Sequence, residues 1–284
     1  MATFFNQATL TYNGTSVNSN IVTGELVEVL SATKTALTGD YTTGDVVSYA
    51  VNIINSGTAD FTGLTVTDDL GAYTFGDTTL VPLSYIDGSI RYFVNGDPTA
   101  APTVTAGPPL TVSGITVPAG GNATIIYSAR VNEFAPIGAT GIITNTATVT
   151  GGGVSADITA QSTVPATTGV SLTITKSLNP TTVADNGQLT YTIIVQNLGN
   201  TPIEATDGVI ISDTFNPILS NITVTLNDAT LAEGTGYTYN ETTGEFATVD
   251  GVVTVPAATY TQDTTTGAVT TTPGVAILTV TGTV

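Results

Sequence analysis

Apolar and polar residues alternate along most of this chain, in short runs that end at Gly, Asn, Asp or Pro. Two clear examples are VSYAVNIINSG at 47–57 and NATIIYSARV at 122–131, where every second residue is mostly apolar. A period of two is typical of β-strands with one buried face, and the turn residues predict antiparallel connections. Long patterns with the helical period are scarce, so the sequence predicts an all-β fold.

This strand pattern occurs twice along the chain. VSYAVNIINSG aligns with LTYTIIVQNLG, and NATIIYSARV aligns with VAILTVTGTV. The same alignment pairs Lys34 with Lys176 and, slightly later, Asp68 with Asp213. Internal repetition of this kind predicts two homologous domains in tandem. Short strands with turn residues between them, and no helices, predict antiparallel β-sandwiches of the immunoglobulin-like kind.

The two copies do not end at equivalent positions. The first continues beyond Val131 through NEFAPIGATGIITNTATVT, whereas the second ends at Val284, which aligns with Val131. The second domain is therefore predicted to lack its final strand. The first residues of the chain resemble that strand, since FFNQATLTYNG has the same pattern as ITNTATVTGGG and Asn6 aligns with Asn145.

These comparisons predict four segments. They are an N-terminal donor strand and linker at 1–24, a first sandwich at 25–150, a linker at 151–170, and an incomplete second sandwich at 171–284.

A sandwich that lacks a strand exposes unpaired backbone groups and an open core. The N-terminal strand of a second copy would fill this gap, as in donor-strand complementation, and would bury Phe4, Ala8, Leu10 and Tyr12. Because such a head-to-tail contact does not close into a ring, each added subunit exposes a new site for the next one and a filament forms. The competing occupant is the chain's own N-terminus, since a linker of about 15 residues spans roughly 50 Å when extended. The repeat favours the filament, because all junctions between domains would then be alike.

Strand parity aims one Lys, one Asp and one Asn at the interior of each completed sandwich. These residues are Lys34, Asp68 and Asn145 in the first domain, Lys176 and Asp213 in the second, and Asn6 in the N-terminal strand. Burying a charge costs several kcal/mol, so some compensation is required. One interpretation is a structural Lys–Asp ion pair with the Asn hydrogen-bonded nearby. The other is an amide bond between the Lys amine and the Asn carboxamide, with release of ammonia and with the Asp holding the proton that polarises the carbonyl.

The order of these residues resembles a known group of proteins. K on the first strand, Y-x-x-x-x-x-N-x-G on the next, T/S-D after it and N-x-A-x-V on the last are similar to bacterial surface-protein repeat domains and to isopeptide-forming domains of Gram-positive pilins. The resemblance covers nearly all of residues 25–284. It implies an immunoglobulin-like fold, an extracellular structural role, and a bond between Lys34 and Asn145 that Asp68 assists.

For the second domain, the resemblance supplies Lys176 and Asp213 but no Asn. If the strand of a neighbouring subunit fills the gap, Asn6 completes the set and the crosslink joins two subunits. The chain departs from the pilin pattern because no sorting motif and no secretory leader are visible in it. We therefore expect a pilus-like fibre or spore appendage on a bacterial surface, assembled without sortase.

Composition excludes several other functions. A formal net charge of −18 with only four Lys and Arg residues excludes nucleic-acid binding and electrostatic docking on anionic membranes. No apolar run is long enough to insert into a bilayer. Cys and His are absent, so we expect no disulfide, no metal, no cofactor and no enzyme activity except self-crosslinking.

Other function classes remain as alternatives. One is a monomeric surface adhesin or stalk module that contains buried Lys–Asp pairs and no crosslink; the sequence identifies no receptor for it. A carbohydrate-binding module would need an exposed aromatic platform, but Trp is absent. A hydrolase would need a His-based triad or a spaced pair of catalytic carboxylates, and neither occurs in a recognisable motif.

Overall fold

The computed structural model describes residues 2–284, which divide into two compact units. Unit 1 comprises residues 2–132 and 143–164, and unit 2 comprises residues 133–142 and 165–284. The only helix in the described residues is one turn of 3-10 helix, Ala205–Asp207. Within them, no helix is long and apolar enough to cross a membrane. The prediction of an all-β fold with two tandem antiparallel β-sandwiches is confirmed.

The N-terminal segment is a long β-hairpin and not a single strand. Its strands are β1 (Ala2–Asn6), β2 (Thr9–Tyr12), β3 (Thr15–Asn18) and β4 (Val22–Leu26). β1 pairs with β4, and β2 pairs with β3, both antiparallel. Asn13 and Gly14 form the turn with φ of 45° and 78°, the positive values that tight hairpin turns require. Because this turn sends the chain back along itself, the segment predicted as a donor strand followed by a linker, 1–24, consists of two paired strands.

Unit 1 continues with thirteen strands. In chain order they are β5 (Leu30–Ala36), β6 (Val46–Asn55), β7 (Phe61–Asp68), β8 (Tyr73–Phe75), β9 (Thr78–Leu80), β10 (Leu83–Tyr85), β11 (Arg91–Val94), β12 (Asp97–Thr99), β13 (Thr103–Thr105), β14 (Leu110–Val117), β15 (Asn122–Val131), β16 (Ile142–Gly151) and β17 (Ile158–Pro165).

These strands form two main sheets with a core between them. One sheet has the order β12-β11-β15-β6-β5, with β10 also paired to β15, and the other has the order β13-β14-β7-β16-β17. The alternation seen in the sequence appears as alternating burial along β6 and β15. The largest fully buried side chains of this core include Tyr49, Ile53, Leu64, Leu110, Ile125 and Tyr127.

Strand β17 lies inside the segment that was predicted as a linker, 151–170. Its sequence ITAQSTVP alternates, and it buries Ala160 and Val164 on one face. β17 pairs with β16 and so completes the second sheet of unit 1. The segment between the two sandwiches is therefore shorter than the sequence indicated.

Unit 2 contains ten strands. In chain order they are β18 (Leu172–Asn179), β19 (Gln188–Asn197), β20 (Ser212–Thr214), β21 (Ser220–Leu226), β22 (Ala229–Leu231), β23 (Tyr237–Tyr239), β24 (Glu245–Thr248), β25 (Thr259–Gln262), β26 (Val269–Thr272) and β27 (Gly274–Thr283). The larger sheet has the order β18-β19-β27-β21-β22, and a smaller one has the order β20-β24-β23. Their shared core includes Tyr191, Ile193, Phe215, Phe246 and Leu278.

The repeat is visible in hydrogen bonds as well as in strand order. The Asn55 side chain donates to the backbone carbonyl four residues later at 2.8 Å and accepts from the N–H two residues later at 2.9 Å. Asn197 makes the same two bonds, at 2.7 and 2.9 Å. The Asn of the Y-x-x-x-x-x-N-x-G pattern therefore fixes the turn after β6 and after β19, which explains its place in both copies.

The two units differ at one edge. In unit 1, β7 carries β14 on one side and β16 on the other. In unit 2, β20 pairs with β24 on one side, and among residues 2–284 no strand pairs with its other side.

Candidate crosslinking site

Lys34 and Asp68 form a buried ion pair at the centre of unit 1. The Lys34 Nζ lies 2.5 Å from Asp68 Oδ2, and the two side chains are 0% and 2% exposed. β5 and β7 supply these residues from the two facing sheets, and both side chains are buried on the inner faces that their parity predicted. Burial disfavours the ammonium and lowers the pKa of Lys34 below its ordinary value of 10.5, although the Asp68 carboxylate opposes this shift.

Tyr127 connects this pair to Asn145. The Tyr127 hydroxyl donates to Asp68 Oδ2 at 2.7 Å and accepts from Asn145 Nδ2 at 2.9 Å. The Asn145 carbonyl oxygen accepts a 3.2 Å hydrogen bond from the backbone N–H of Gly71. Asn145 has no exposed surface. The structure therefore brings the three residues predicted for the first domain into one buried network.

The turn after β7 sets the geometry around Asn145. Asp68 Oδ1 accepts from the N–H of Leu70 at 3.1 Å, and Leu70 has a positive φ of 55°. Asp69 binds the neighbouring strand, since its Oδ1 accepts from the N–H of Thr146 at 2.9 Å. These contacts hold the turn against β16, where the Gly71 N–H reaches the Asn145 carbonyl.

Aromatic rings enclose the amine. The Lys34 Nζ lies 4.9 Å from the centroid of the Tyr49 ring and 5.7 Å from that of Tyr127. The two rings stack, with centroids 5.6 Å apart. The Tyr49 hydroxyl is buried near Asn145 but makes no hydrogen bond of normal geometry there. Only one of the two tyrosines thus links the carboxyl to the amide.

This network has the parts that amide formation needs. A lysine with a lowered pKa supplies more free amine, which is the nucleophilic form. A carboxyl beside it can take a proton and return it, and an N–H directed at the carbonyl oxygen stabilises negative charge that develops there. Burial of the Lys34, Asp68 and Asn145 side chains keeps bulk water away from the reacting groups.

Lys176 and Asp213 form the equivalent pair in unit 2. Their side chains are in contact, with the amine over the ring of Tyr191 at 4.3 Å from the centroid. Here, however, the Lys176 side chain is 40% exposed and Asp213 is 17% exposed. The burial predicted for Lys176 is therefore not reached within this chain, because no strand covers the outer edge of β20 in the described residues.

The second site also lacks two parts of the first. No Asn side chain is hydrogen-bonded to this pair in the described part of the chain. Val280 pairs with Tyr191 across the strands, as Tyr127 pairs with Tyr49 in unit 1, so unit 2 has no tyrosine hydroxyl at that position.

The predicted donor residues lie on the N-terminal hairpin. Asn6 is in β1 opposite Val22, and Phe4, Ala8, Leu10 and Tyr12 are all exposed. The hairpin therefore presents to solvent the apolar face that a donor strand would bury.

Sequence reasoning missed two parts of the first site, Tyr127 and the Gly71 N–H. Tyr127 lies on the inner face of β15, and its replacement by Val280 in the second copy is a signal that the alignment contained. The Gly71 contact depends on how the turn after β7 meets β16, which alternation does not encode. Among residues 2–284, no cluster of His, Cys, Asp and Glu could hold a metal ion.

Comparisons with known proteins give structural likenesses only. Neither a protein-family model nor a curated protein matches the sequence. The fold is similar to the pilus backbone protein RrgB of Streptococcus pneumoniae, with 13% identity and a TM-score of 0.35 over 86% of this chain and 55% of RrgB. This chain therefore spans about half the length of RrgB.

Two further solved structures have comparable likeness. The major pilin subunit BcpA of Bacillus cereus has 12% identity and a TM-score of 0.38 over 94% of this chain and 70% of BcpA. A collagen-binding domain from a Staphylococcus aureus adhesin has 14% identity and a TM-score of 0.31 over 49% of this chain and 99% of that domain. The two β-sandwiches are defined by the pairing of their own strands.

Proposed function

We propose that this chain is the structural subunit of a bacterial extracellular filament, pilus-like or a spore appendage. Subunits join head to tail when the N-terminal segment of one completes unit 2 of the next, and Lys–Asn isopeptide bonds make the fibre permanent. One observation carries the proposal: the Lys–Asp pair occurs twice, closed with an Asn in unit 1 and open without one in unit 2.

In unit 1 the reaction is an intramolecular amide exchange. Lys34 first loses its ammonium proton to solvent, which burial favours by lowering its pKa, and the free amine then attacks Cγ of Asn145. The Gly71 N–H stabilises the negative charge on the carbonyl oxygen. One N–H proton of Lys34 reaches the Asn145 nitrogen through Asp68 and Tyr127, which both return to their initial state. The C–N bond of the carboxamide breaks, ammonia leaves, and one new amide bond remains.

In unit 2 the equivalent bond requires a second subunit, and Asp213 passes the proton to the leaving nitrogen directly because Val280 stands where unit 1 has Tyr127. Asn6 of the neighbour takes the place of Asn145, opposite Lys176 and Asp213. Donation of the strand also covers the exposed Lys176–Asp213 pair and brings the Asn6 carboxamide to it. The bond therefore forms only after the strand is seated, so that assembly precedes crosslinking at each junction.

A mass spectrum and a denaturing gel test this function. The denatured mass of assembled material should be lower by one ammonia for each bond, and the gel should show a ladder that survives boiling in detergent. Asn6→Ala should abolish the ladder and leave the bond in unit 1, and Asn145→Ala should do the reverse. A ladder that persists in Asn6→Ala would refute the assignment of the donor Asn. If the denatured mass of the parent protein shows no loss of ammonia, the result would instead indicate a structural Lys–Asp ion pair without a crosslink.

A further inference from the structure

The N-terminal hairpin has an apolar face made by both of its strands. Leu10 lies directly opposite Val17, and Phe4 lies opposite Gly24. Leu10 and Val17 are exposed, at 71% and 63%. Residues directly opposite each other in a hairpin point to the same side of it. A face this apolar on both strands indicates a surface that is covered in the assembled protein.

Phe4 and Gly24 are in close contact across the hairpin. A Cβ on Gly24 would lie 2.3 Å from the tip of the Phe4 ring, so the ring occupies the space that any larger residue would need. Farther along, the hydroxyls of Thr11 and Ser16 are 2.8 Å apart on the opposite face. The two strands of the hairpin therefore make side-chain contacts on both of its faces.

Unit 1 contains a hairpin at the position where unit 2 has none. β16 pairs with β7, and β17 pairs with β16 and contacts β5 of the facing sheet through one hydrogen bond. The Ser162 hydroxyl of β17 accepts a 2.9 Å hydrogen bond from the N–H of Ala36 in β5. Val164, also in β17, is fully buried. Two strands, and not one, close this side of the first sandwich.

In unit 2, β18 corresponds to β5 and has exposed apolar side chains. Leu30 in β5 is 8% exposed, whereas its counterpart Leu172 in β18 is 45% exposed. Ile174, two residues farther along β18, is also exposed. A single strand on the edge of β20 would leave β18 without the cover that β17 gives to β5.

We infer that the donated element is the whole two-stranded hairpin, residues 2–26 of a second copy of this chain. This inference rests on the proposed function and specifies its interface. β1 and β2 pair with the free edge of β20, as β16 pairs with β7, and β3 and β4 cover β18, as β17 covers β5. The only charged residue of the hairpin is Glu25, so its insertion places little charge in an apolar site.

A disulfide that locks the hairpin tests the inference. The chain has no Cys, and Thr11 and Ser16 lie directly opposite each other on the face away from Leu10. The variant Thr11→Cys/Ser16→Cys is purified behind a removable N-terminal fusion, oxidised or kept reduced, and then released to assemble. Thr11→Cys alone is the matched control. Fibres are scored by electron microscopy and by a gel run in reductant after assembly.

Oxidised and reduced chains should form fibres at the same rate and to the same extent. If the reduced chain assembles and the oxidised chain does not, the donor enters as a single strand. That result would refute the inference that the whole hairpin is donated. If neither assembles and the parent also remains monomeric, the proposed function itself fails.

Hydrogen exchange provides a second measurement on the parent fibre. Assembly should protect the amides of β3, β4 and β18 together with those of β1 and β2. Protection that is confined to β1, β2 and β20 would refute donation of the whole hairpin but would remain consistent with the proposed filament.

Discussion

The Tyr127 hydroxyl donates a 2.7 Å hydrogen bond to Asp68, and it does so inside a core where neither side chain is open to solvent. The same oxygen accepts from the Asn145 amide at 2.9 Å. Burial and the nearby Asp68 carboxylate raise the pKa of Tyr127 well above its ordinary value, so the hydroxyl keeps its proton. It is therefore a neutral bridge between the proposed acid and the leaving nitrogen.

Tyr127→Phe should slow bond formation in unit 1. The ring is kept, but the bridge that carries the proton to the leaving nitrogen is lost, and Asn145 loses a buried partner at a cost of about 1–3 kcal/mol. The rate is measured from the loss of ammonia in the intact mass after refolding. The matched control is Tyr49→Phe, because the Tyr49 hydroxyl makes no hydrogen bond of normal geometry. Equal rates in the two variants would contradict a role for the bridge.

Bond formation in unit 1 should accelerate with pH and level off below pH 10.5, the ordinary pKa of lysine. Burial lowers the pKa of Lys34, so the folded protein loses this proton at a lower pH than a free lysine does. The measurement is the rate of mass loss from neutral pH upward. A midpoint at or above the ordinary value would show that burial does not activate the amine.

The sign of the accompanying stability change follows from the same shift. Between the lowered pKa and 10.5, the unfolded chain binds a proton at Lys34 that the folded chain does not. The free energy of unfolding therefore rises with pH across this window and is lower below it. Asn145→Ala, which keeps Lys34 but cannot form the bond, is the variant in which denaturant unfolding shows this trend.

Alternation in the sequence was sufficient to predict β5, β6 and β15 and to place Lys34, Asp68 and Asn145 on inner faces. Parity fixes which side of a strand a residue occupies, and a buried sheet allows only one side to be apolar. It does not fix which residues of two facing sheets meet, so the bridge by Tyr127 was missed.

The N-terminal hairpin, β1 to β4, was not predicted, for a different reason. Residues 1–24 align with β16 and the segment after it, and both were interpreted as a strand followed by a linker. The Asn13–Gly14 turn is a strong local signal for a return strand, but the alignment with the Gly-rich stretch after Val149 concealed it. The two segments predicted as linkers, after the donor strand in 1–24 and at 151–170, each contain the second strand of a hairpin.

Ile174→Thr should weaken assembly without destabilising the monomer. Ile174 is exposed on β18, and exposed substitutions usually change stability by within about 0.5 kcal/mol. If the donated hairpin covers it, losing this side chain removes about 1.5 kcal/mol or more of apolar burial, or about tenfold in affinity. The comparison is fibre yield against subunit concentration. Ile277→Thr is the control, since Ile277 is exposed on β27, away from the edge strand β18. Equal losses in both would argue against cover on β18.

Gly14→Ala should impair assembly through the turn alone. Gly14 has a φ of 78° with no atom near the position of a Cβ, so the substitution introduces backbone strain and no steric clash. A left-handed conformation costs a residue with a Cβ roughly 1–2 kcal/mol, which corresponds to about a 5- to 30-fold shift away from the closed hairpin. If the hairpin is the donated element, the concentration needed for fibres should rise by a similar factor. Gly39→Ala is the control, because Gly39 also has open space around it but no positive φ. Because a single-strand donor needs no turn at Gly14, unchanged assembly in Gly14→Ala would count against the hairpin and not against the filament.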